Sequence, residues 1–370
     1  MDVFNSMESK QHEQVVFASD SSTGLRVIIA IHDTTLGPAL GGCRMWNYEK
    51  ESDALTDVLR LSRGMTYKAA VAGLDLGGGK SVIIGDSKSM KNEFLFRSFG
   101  KIVDGLGGRY ITAEDVGTSV RDMEWVRMET RYVTGISRAL GGSGDPSPVT
   151  ALGTYIGMKA CVNRVFGSDS LEGKKIAVQG VGNVGKHLVE LLVKEGAKLF
   201  ISDIDEDKIK NITKNYPVKV VDNDKIYGLD VDIFAPCAMG GIINDKTLSM
   251  FKCKIVAGAA NNQLEKEKEH GKAILEKGIL YAPDYVINAG GLINIYNEIQ
   301  GYNREKALAQ TEDIYHILSE VLDVAEKEGV PTPVASNKYA EERIKRMREQ
   351  NKTYPGSTDK FIKRRRDAVR

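Results

Sequence analysis

The chain has 370 residues, long for one domain and comfortable for two. Its 42% hydrophobic and 27% charged residues are those of a soluble globular protein, and a net charge of +1 argues against nucleic acid or an anionic membrane as main partner. No apolar run reaches the roughly 18 to 20 residues needed to span a bilayer. Cys43, Cys161, Cys237 and Cys253 are scattered without a C-x-x-C spacing, so neither a disulfide framework nor a metal site is expected. The first residues carry no signal-peptide pattern, and the expected location is the cytoplasm.

Residues 14–32 read as two strands joined by a turn at Ser21–Gly24. Next comes Thr35-Leu-Gly-Pro-Ala-Leu-Gly-Gly-Cys-Arg-Met45. Its glycines make it either an amide nest for an anion or a turn-rich connector. An amphipathic helical pattern follows (Ala54, Leu55, Val58, Leu59, Leu61), with Ser52 as candidate cap, and it runs towards Lys68. Gly77-Gly-Gly-Lys80 then precedes the apolar run Ser81–Gly85, which reads as a buried strand with Lys80 at the mouth of a sheet.

Lys68 and Lys80 sit twelve residues apart in a mostly apolar setting. A lysine partly removed from water loses its charge more readily, so one could remain a cation for a carboxylate while the other acts as a base. Taken alone, GGGK also reads as an ordinary Gly-rich loop beside a solvated lysine. A second helical pattern covers about 91–105 (Phe94, Leu95, Phe99, Ile102, Val103), and Tyr110–Ala113 reads as a short strand ending in Glu114 and Asp115. Such a carboxylate is either catalytic or a turn former. Leu140-Gly-Gly-Ser-Gly-Asp-Pro-Ser-Pro148 is the clearest linker, a hinge into a second domain whose first helix opens at Val149-Thr150.

The strongest local motif starts at Lys174. Strand Ile176–Gln179 leads into Gly180-Val-Gly-Asn-Val-Gly185 and a helix, and the next strand ends in Asp203, 23 residues beyond Gly180. That order specifies dinucleotide binding: glycines admit the pyrophosphate to a helix N-terminus, and the acid meets the ribose hydroxyls. No Lys or Arg follows Asp203 to meet a 2′-phosphate, so NAD is preferred over NADP. Val231–Pro236 and Lys254–Asn262 read as further strand-to-loop passages, which makes Asn261 and Asn262 ligand contacts in preference to surface turns. The Lys-Glu run at 265–269 reads as a solvated helix face, Ile279–Ala282 as a strand, and the chain beyond 304 as helical to about 350. The basic tail Lys363–Arg366 reads as terminal solvation.

Seven ordered segments, Gly37-Pro-Ala-Leu-Gly-Gly42, Met65-Thr-Tyr-Lys68, Gly77-Gly-Gly-Lys80, Glu114-Asp-Val-Gly-Thr118, Gly180–Gly185, Gly258-Ala-Ala-Asn-Asn-Gln263 and Asn288-Ala-Gly-Gly291, together resemble the amino-acid dehydrogenase superfamily. The resemblance spans about residues 13–350 and is nearest to the leucine dehydrogenases, with phenylalanine, valine and tryptophan dehydrogenases as close relatives. It implies a two-domain α/β fold. An N-terminal α/β substrate and oligomerisation domain (1–145) would be followed by a doubly wound Rossmann-type NAD-binding domain (146–330), with a cleft between them and a C-terminal helical segment and tail (331–370). The implied reaction is the NAD-dependent, reversible oxidative deamination of a branched-chain L-amino acid, leucine foremost, in a homo-oligomer, often an octamer.

Carried over by residue, Lys68 would hold the substrate carboxylate with backbone help from Gly41 and Gly42. Lys80 would be the catalytic lysine that activates water, and Asp115 would shuttle protons to and from the amino group. Thr150, Gly180, Gly182, Asn183, Val184, Gly185, Asp203 and Asn261 would hold NAD, with Asn262 touching cofactor and substrate. Leu40, Ala113, Leu292 and Ile295 would line the side-chain pocket, and none of them is cationic, which argues against glutamate. Ala113 matches the leucine enzymes. Leu292 matches several aromatic-specific relatives, and Asp145 departs from the leucine pattern, where Asn is usual, so phenylalanine, valine or tryptophan dehydrogenase is the alternative. A non-catalytic NAD-binding protein is a further one, disfavoured by the presence of Lys68, Lys80 and Asp115.

Overall fold

The computed structural model describes residues 3–350; the tail Lys363–Arg366 lies outside them. The chain forms two compact units. One takes in the residues to Asp145, Ile295–Arg304 and the chain from Ala340; the other takes in Pro146–Asn294 and Glu305–Tyr339.

The first unit begins with α1 (Val3–Glu8), β1 (Gln14–Asp20), β2 (Leu25–Asp33) and β3 (Ala39–Trp46). It continues through α2 (Glu51–Val71), β4 (Gly77–Ile84), α3 (Glu93–Gly105), β5 (Tyr110–Glu114) and α4 (Val120–Arg127). Its sheet has the order β1-β2-β4-β3-β5. β2 runs antiparallel to β1 and β4, while β3 runs parallel to β4 and β5. The period of two along β2 divides its side chains between two layers. Ile28 and Ala30 meet Ala54, Leu55, Val58 and Leu59 of α2. Leu25, Val27, Ile29 and Ile31 meet Leu95, Phe96, Phe99 and Val103 of α3. Phe94, which the helical pattern placed inside, is 70% exposed, and Phe96 takes the core position.

Both glycine-rich stretches differ from their sequence reading. Gly77–Gly79 are not a loop before a strand but the first residues of β4, and Lys80 lies in the strand interior opposite Ala30. Likewise 39–46 is a full strand and no nest. Close packing is the cause: a Cβ on Gly78 would fall 2.1 Å from the Thr66 amide nitrogen on α2, and one on Gly79 would fall 2.7 Å from the Tyr110 ring. Glycine here lets a helix and a ring approach the sheet. Ser52 lies inside α2, whose cap position is Lys50. At the far end of α2, Arg343 of the C-terminal helix donates to the carbonyls of Ala70, Gly73 and Leu74, which ties that helix to the end of α2.

The second unit opens with α5 (Ser147–Phe166), capped at Pro146, so Pro148 lies in the first helical turn, where its missing N–H costs nothing. β6 (Lys175–Gln179), α6 (Asn183–Lys194), β7 (Lys198–Ser202), α7 (Glu206–Asn215), β8 (Lys219–Val220) and β9 (Ile233–Pro236) follow. Then come α8 (Asp245–Met250), β10 (Ile255–Val256), α9 (Glu267–Glu276), β11 (Leu280–Tyr281) and α10 (Asp284–Ile287). The helices α11 (Gly290–Ile299), α12 (Arg304–Glu312), α13 (Ile314–Glu328) and α14 (Thr332–Gln350) complete the described residues. The sheet is parallel throughout, in the order β11-β10-β9-β6-β7-β8. That is the doubly wound order, with its reversal between β6 and β9, where such sheets bind ligand. No described helix is long and apolar enough to cross a membrane.

Candidate active site

Lys80 and Asp115 meet in the first unit. Lys80 is 5% exposed, and its Nζ lies 3.1 Å from Asp115 Oδ1. The two residues come from β4 and from just beyond β5, and β3 runs between those strands. They meet because β3 has no side chain in the way. A Cβ on Gly41 would fall 1.7 Å from the Gly79 carbonyl oxygen, and one on Gly42 would fall 2.8 Å from Asp115 Cβ.

Asp115 sits on a braced turn. Its amide donates to Thr118 Oγ1, which donates to the Cys43 carbonyl, and the Met45 amide donates to the Val116 carbonyl. Gly117 has φ of +81° and abuts the Met45 carbonyl, so a side chain there would be strained and obstructed. Burial by itself would raise the Asp115 carboxyl, but Lys80 and then Arg44 outweigh it and hold the group below the usual carboxylate range. The neighbouring Glu114 is shifted the other way, upwards, by burial first and then by Asp145 and Asp115.

Around this pair the structure gathers Gly41 and Gly42, in register with Thr112 and Ala113 of β5. Leu40 and Ala113 are buried, and Ile295, in the same unit, is half-buried. Lys68 is a half-buried residue of the last turn of α2. Two residues escaped the sequence reading. Arg44 donates from Nε to Asp115 Oδ2 at 3.0 Å. In the strand it shares a face with Gly42, two residues back, a relation that the reading of 35–45 as a nest or connector hid. Glu298 accepts at one carboxylate oxygen from the Gly135 amide, the Ser143 amide and the Ser143 hydroxyl, and no local pattern marks it.

The second unit carries the other group of expected residues. β6 ends at Gln179, Gly180 takes φ of +97° against Ala238, and α6 starts at Asn183 with Gly182 as cap. A Cβ on Gly185 would fall 2.1 Å from the Gly180 carbonyl oxygen, so helix and turn touch only because residue 185 is glycine. A Cβ on Gly182 would meet open space, which leaves the start of α6, with Asn183 and Val184, accessible to an anion. Asp203 follows β7 directly and accepts from the Val181 amide at 2.8 Å, so its carboxylate leans over the glycine turn. This donor and acceptor set fits a dinucleotide.

Asn261 and Asn262 are exposed on the loop after β10, and Asn262 takes the left-handed φ of +51°. The loop is held from beneath by Gln263, which donates to the Gly258 and Ala260 carbonyls, and Asn288 donates to Asn261 Oδ1 at 2.8 Å. Thr150 lies in the first turn of α5, and a Cβ on Gly291 would fall 2.7 Å from its hydroxyl. Leu292 is buried one residue further on.

Comparison with known proteins agrees with this division. Residues 10–132 match the dimerisation domain of the Glu/Leu/Phe/Val dehydrogenases, and residues 141–206 and 201–351 match the glutamate/leucine/phenylalanine/valine dehydrogenase domain. The chain belongs to that family. It is therefore an amino-acid dehydrogenase, an enzyme class that works with a nicotinamide cofactor. Leucine dehydrogenase of Geobacillus stearothermophilus is 56% identical over 99% of this chain and 100% of its own length. Leucine dehydrogenase of Bacillus subtilis (strain 168) is 55% identical over the same shares. Among solved structures, L-tryptophan dehydrogenase from Nostoc punctiforme superposes with a TM-score of 0.85 at 47% identity, over 94% of this chain and 99% of that one.

Proposed function

We propose that this enzyme catalyses the reversible oxidative deamination of L-leucine and related branched-chain amino acids with NAD. L-leucine, NAD and water give 4-methyl-2-oxopentanoate, ammonium, NADH and a proton. The observation that carries the reading is the Lys80–Asp115 pair beside Gly41 and Gly42, in a chain 56% identical to a leucine dehydrogenase. The bound dinucleotide supplies the acceptor for the hydride that leaves the substrate Cα.

The chain's own residues do the rest. The Lys68 ammonium and the amides of Gly41 and Gly42 hold the substrate carboxylate. Asp115, kept ionised, accepts a proton as the amine becomes an imine. Lys80 takes a proton from the water that attacks the imine carbon, and returns one to the departing ammonia. Leu40, Ala113 and Ile295 present no charge to the substrate side chain, so glutamate would leave its distal carboxylate unpaired. Asp203 accepts from the adenine ribose hydroxyls. A 2′-phosphate would face Asp203, Asp205 and Glu206 with no basic residue at 204, where Ile204 is 89% exposed. That arrangement favours NAD. Thr150, Asn261 and Asn262 complete the cofactor contacts.

We further propose a homo-oligomer built through the first unit, in the cytoplasm, where Cys43, Cys161, Cys237 and Cys253 remain free thiols. The reverse reaction tests the chemistry. Ammonium should drive NADH oxidation with 4-methyl-2-oxopentanoate, and more slowly with phenylpyruvate. No ammonium-dependent oxidation with any 2-oxo acid would contradict the proposal.

A further inference from the structure

The Asp115 carboxylate has two oxygens and two cations. Oδ1 faces Lys80 at 3.1 Å, and Oδ2 accepts from Arg44 Nε at 3.0 Å. The same guanidinium reaches the other way, donating from its Nη1 to Asp57 Oδ2 at 2.8 Å. Asp57, on α2, is fixed in turn: Tyr48 donates its hydroxyl to Oδ2 at 2.7 Å and Arg60 donates to Oδ1 at 3.0 Å. Charges therefore alternate along Arg60, Asp57, Arg44, Asp115 and Lys80. The side chains of Arg44 and Asp57 are 21% and 15% exposed, too little for water to replace these bonds.

We propose that Arg44 is a positioning residue for the Lys80–Asp115 pair. Its planar fork spans two carboxylates, ties Asp115 through Asp57 to helix α2, and presents one Asp115 oxygen to Lys80 while neutralising the other. This rests on the reading of Lys80 and Asp115 given above. A lysine has one compact charge and cannot occupy both positions at once.

The remaining charged groups around Asp115 define the consequence. Glu114 adjoins it on β5, and Asp122 lies on α4, paired with Lys91. Lys91 offsets Asp122, so the balance at Asp115 rests on Lys80 and Arg44. With Arg44 gone, the Asp115 carboxylate loses one of its two cations and is more readily protonated. That moves the acid limb of the activity profile to higher pH.

The test compares kcat, KM and the pH profile of kcat/KM for L-leucine in the wild type, Arg44→Met and Arg44→Lys, with thermal melting as the check on folding. An opposite charge within reach lowers a carboxylate by about one to three pH units, so Arg44→Met should raise the acid limb by about one unit. Its kcat at neutral pH should fall about tenfold with KM within about threefold, the effect of a carboxylate no longer held in place against Lys80. Arg44→Lys should lie between the two. A folded Arg44→Met with a wild-type acid limb overturns the assignment. If only Arg44→Lys folds, a wild-type kcat together with a wild-type acid limb overturns it. Wild-type enzyme that forms no NADH with any amino acid would instead overturn the reading of the site itself, so the two failures are told apart.

Discussion

Lys80 and Asp115 form their 3.1 Å ion pair across β3, the strand that separates β4 from β5, because Gly41 and Gly42 leave that strand without side chains where the two residues meet. A methyl group at Gly42 would fall 2.4 Å from the Glu114 carbonyl oxygen as well as on Asp115. Backbone cannot swing aside as a flexible side chain can, so β5 and its terminal turn must shift. Gly42→Ala should therefore lower kcat at least about tenfold while the protein stays folded, since displacements of about 1 Å at a reacting group can cost about a hundredfold. Wild-type kcat in a folded Gly42→Ala variant would show that the glycine serves packing alone.

Lys80→Ala removes the proposed base outright. Proton-transfer groups supply about 10²- to 10⁴-fold, and kcat should fall in that range while NADH binding, measured by fluorescence titration, stays near wild type. Retention of more than about a tenth of wild-type kcat would assign the proton transfer to another group.

Cofactor choice is expected to reside at the end of β7. The double substitution Asp203→Ser with Ile204→Arg removes an anion and adds a cation beside the ribose position, so KM for NAD should rise and that for NADP should fall. Unchanged preference between the two would show that the ribose is held elsewhere.

The first unit also carries a built-in acid sensitivity. His12 and His32 are buried edge to face, 4.8 Å apart. The Leu59 carbonyl can only accept, so His12 Nε2 carries the proton there, and His12 Nδ1 has no partner. His32 is arranged alike, with Nε2 on the Lys10 carbonyl and Nδ1 on the Thr66 hydroxyl. Burial, and then the adjacent His32, push the His12 value down from 6.5 to about 4. Lys10 and Arg63 act in the same direction on His12, while Asp33 and Glu13 oppose the fall at His32. The folded value lies below the unfolded one, so the stabilisation is complete above about 6.5 and is lost as pH falls towards about 4. Melting temperatures taken across that window should drop more steeply for wild type than for His12→Gln. Parallel slopes would exclude His12 as the cause.

Sequence pattern revealed some of this architecture and hid the rest, for physical reasons. In the second unit strand, glycine turn, helix and terminal acid follow one another locally, so the order of residues 176–203 was enough to place Asp203 over the turn at Gly180. Asp115 was likewise readable as the residue after a short strand. The glycines at 41–42 and 77–79 were not, because a glycine that admits a ligand and one that admits Thr66 or the Tyr110 ring look alike until the sheet is assembled. Arg44 escaped notice because a cation inside a strand has no meaning until its neighbour two strands away in the chain, Asp115, is known. Glu298 depends on contacts with residues more than 150 positions earlier, which no local pattern records.

The most direct test of the whole account is NADH formation from NAD with a panel of L-amino acids. A side-chain pocket discriminates by about 1 to 3 kcal/mol per methylene, so the preference should be graded. The account predicts the highest kcat/KM for L-leucine, with L-isoleucine or L-valine near it, L-phenylalanine lower and L-glutamate without detectable turnover. A clear preference for phenylalanine, tryptophan or glutamate would contradict it.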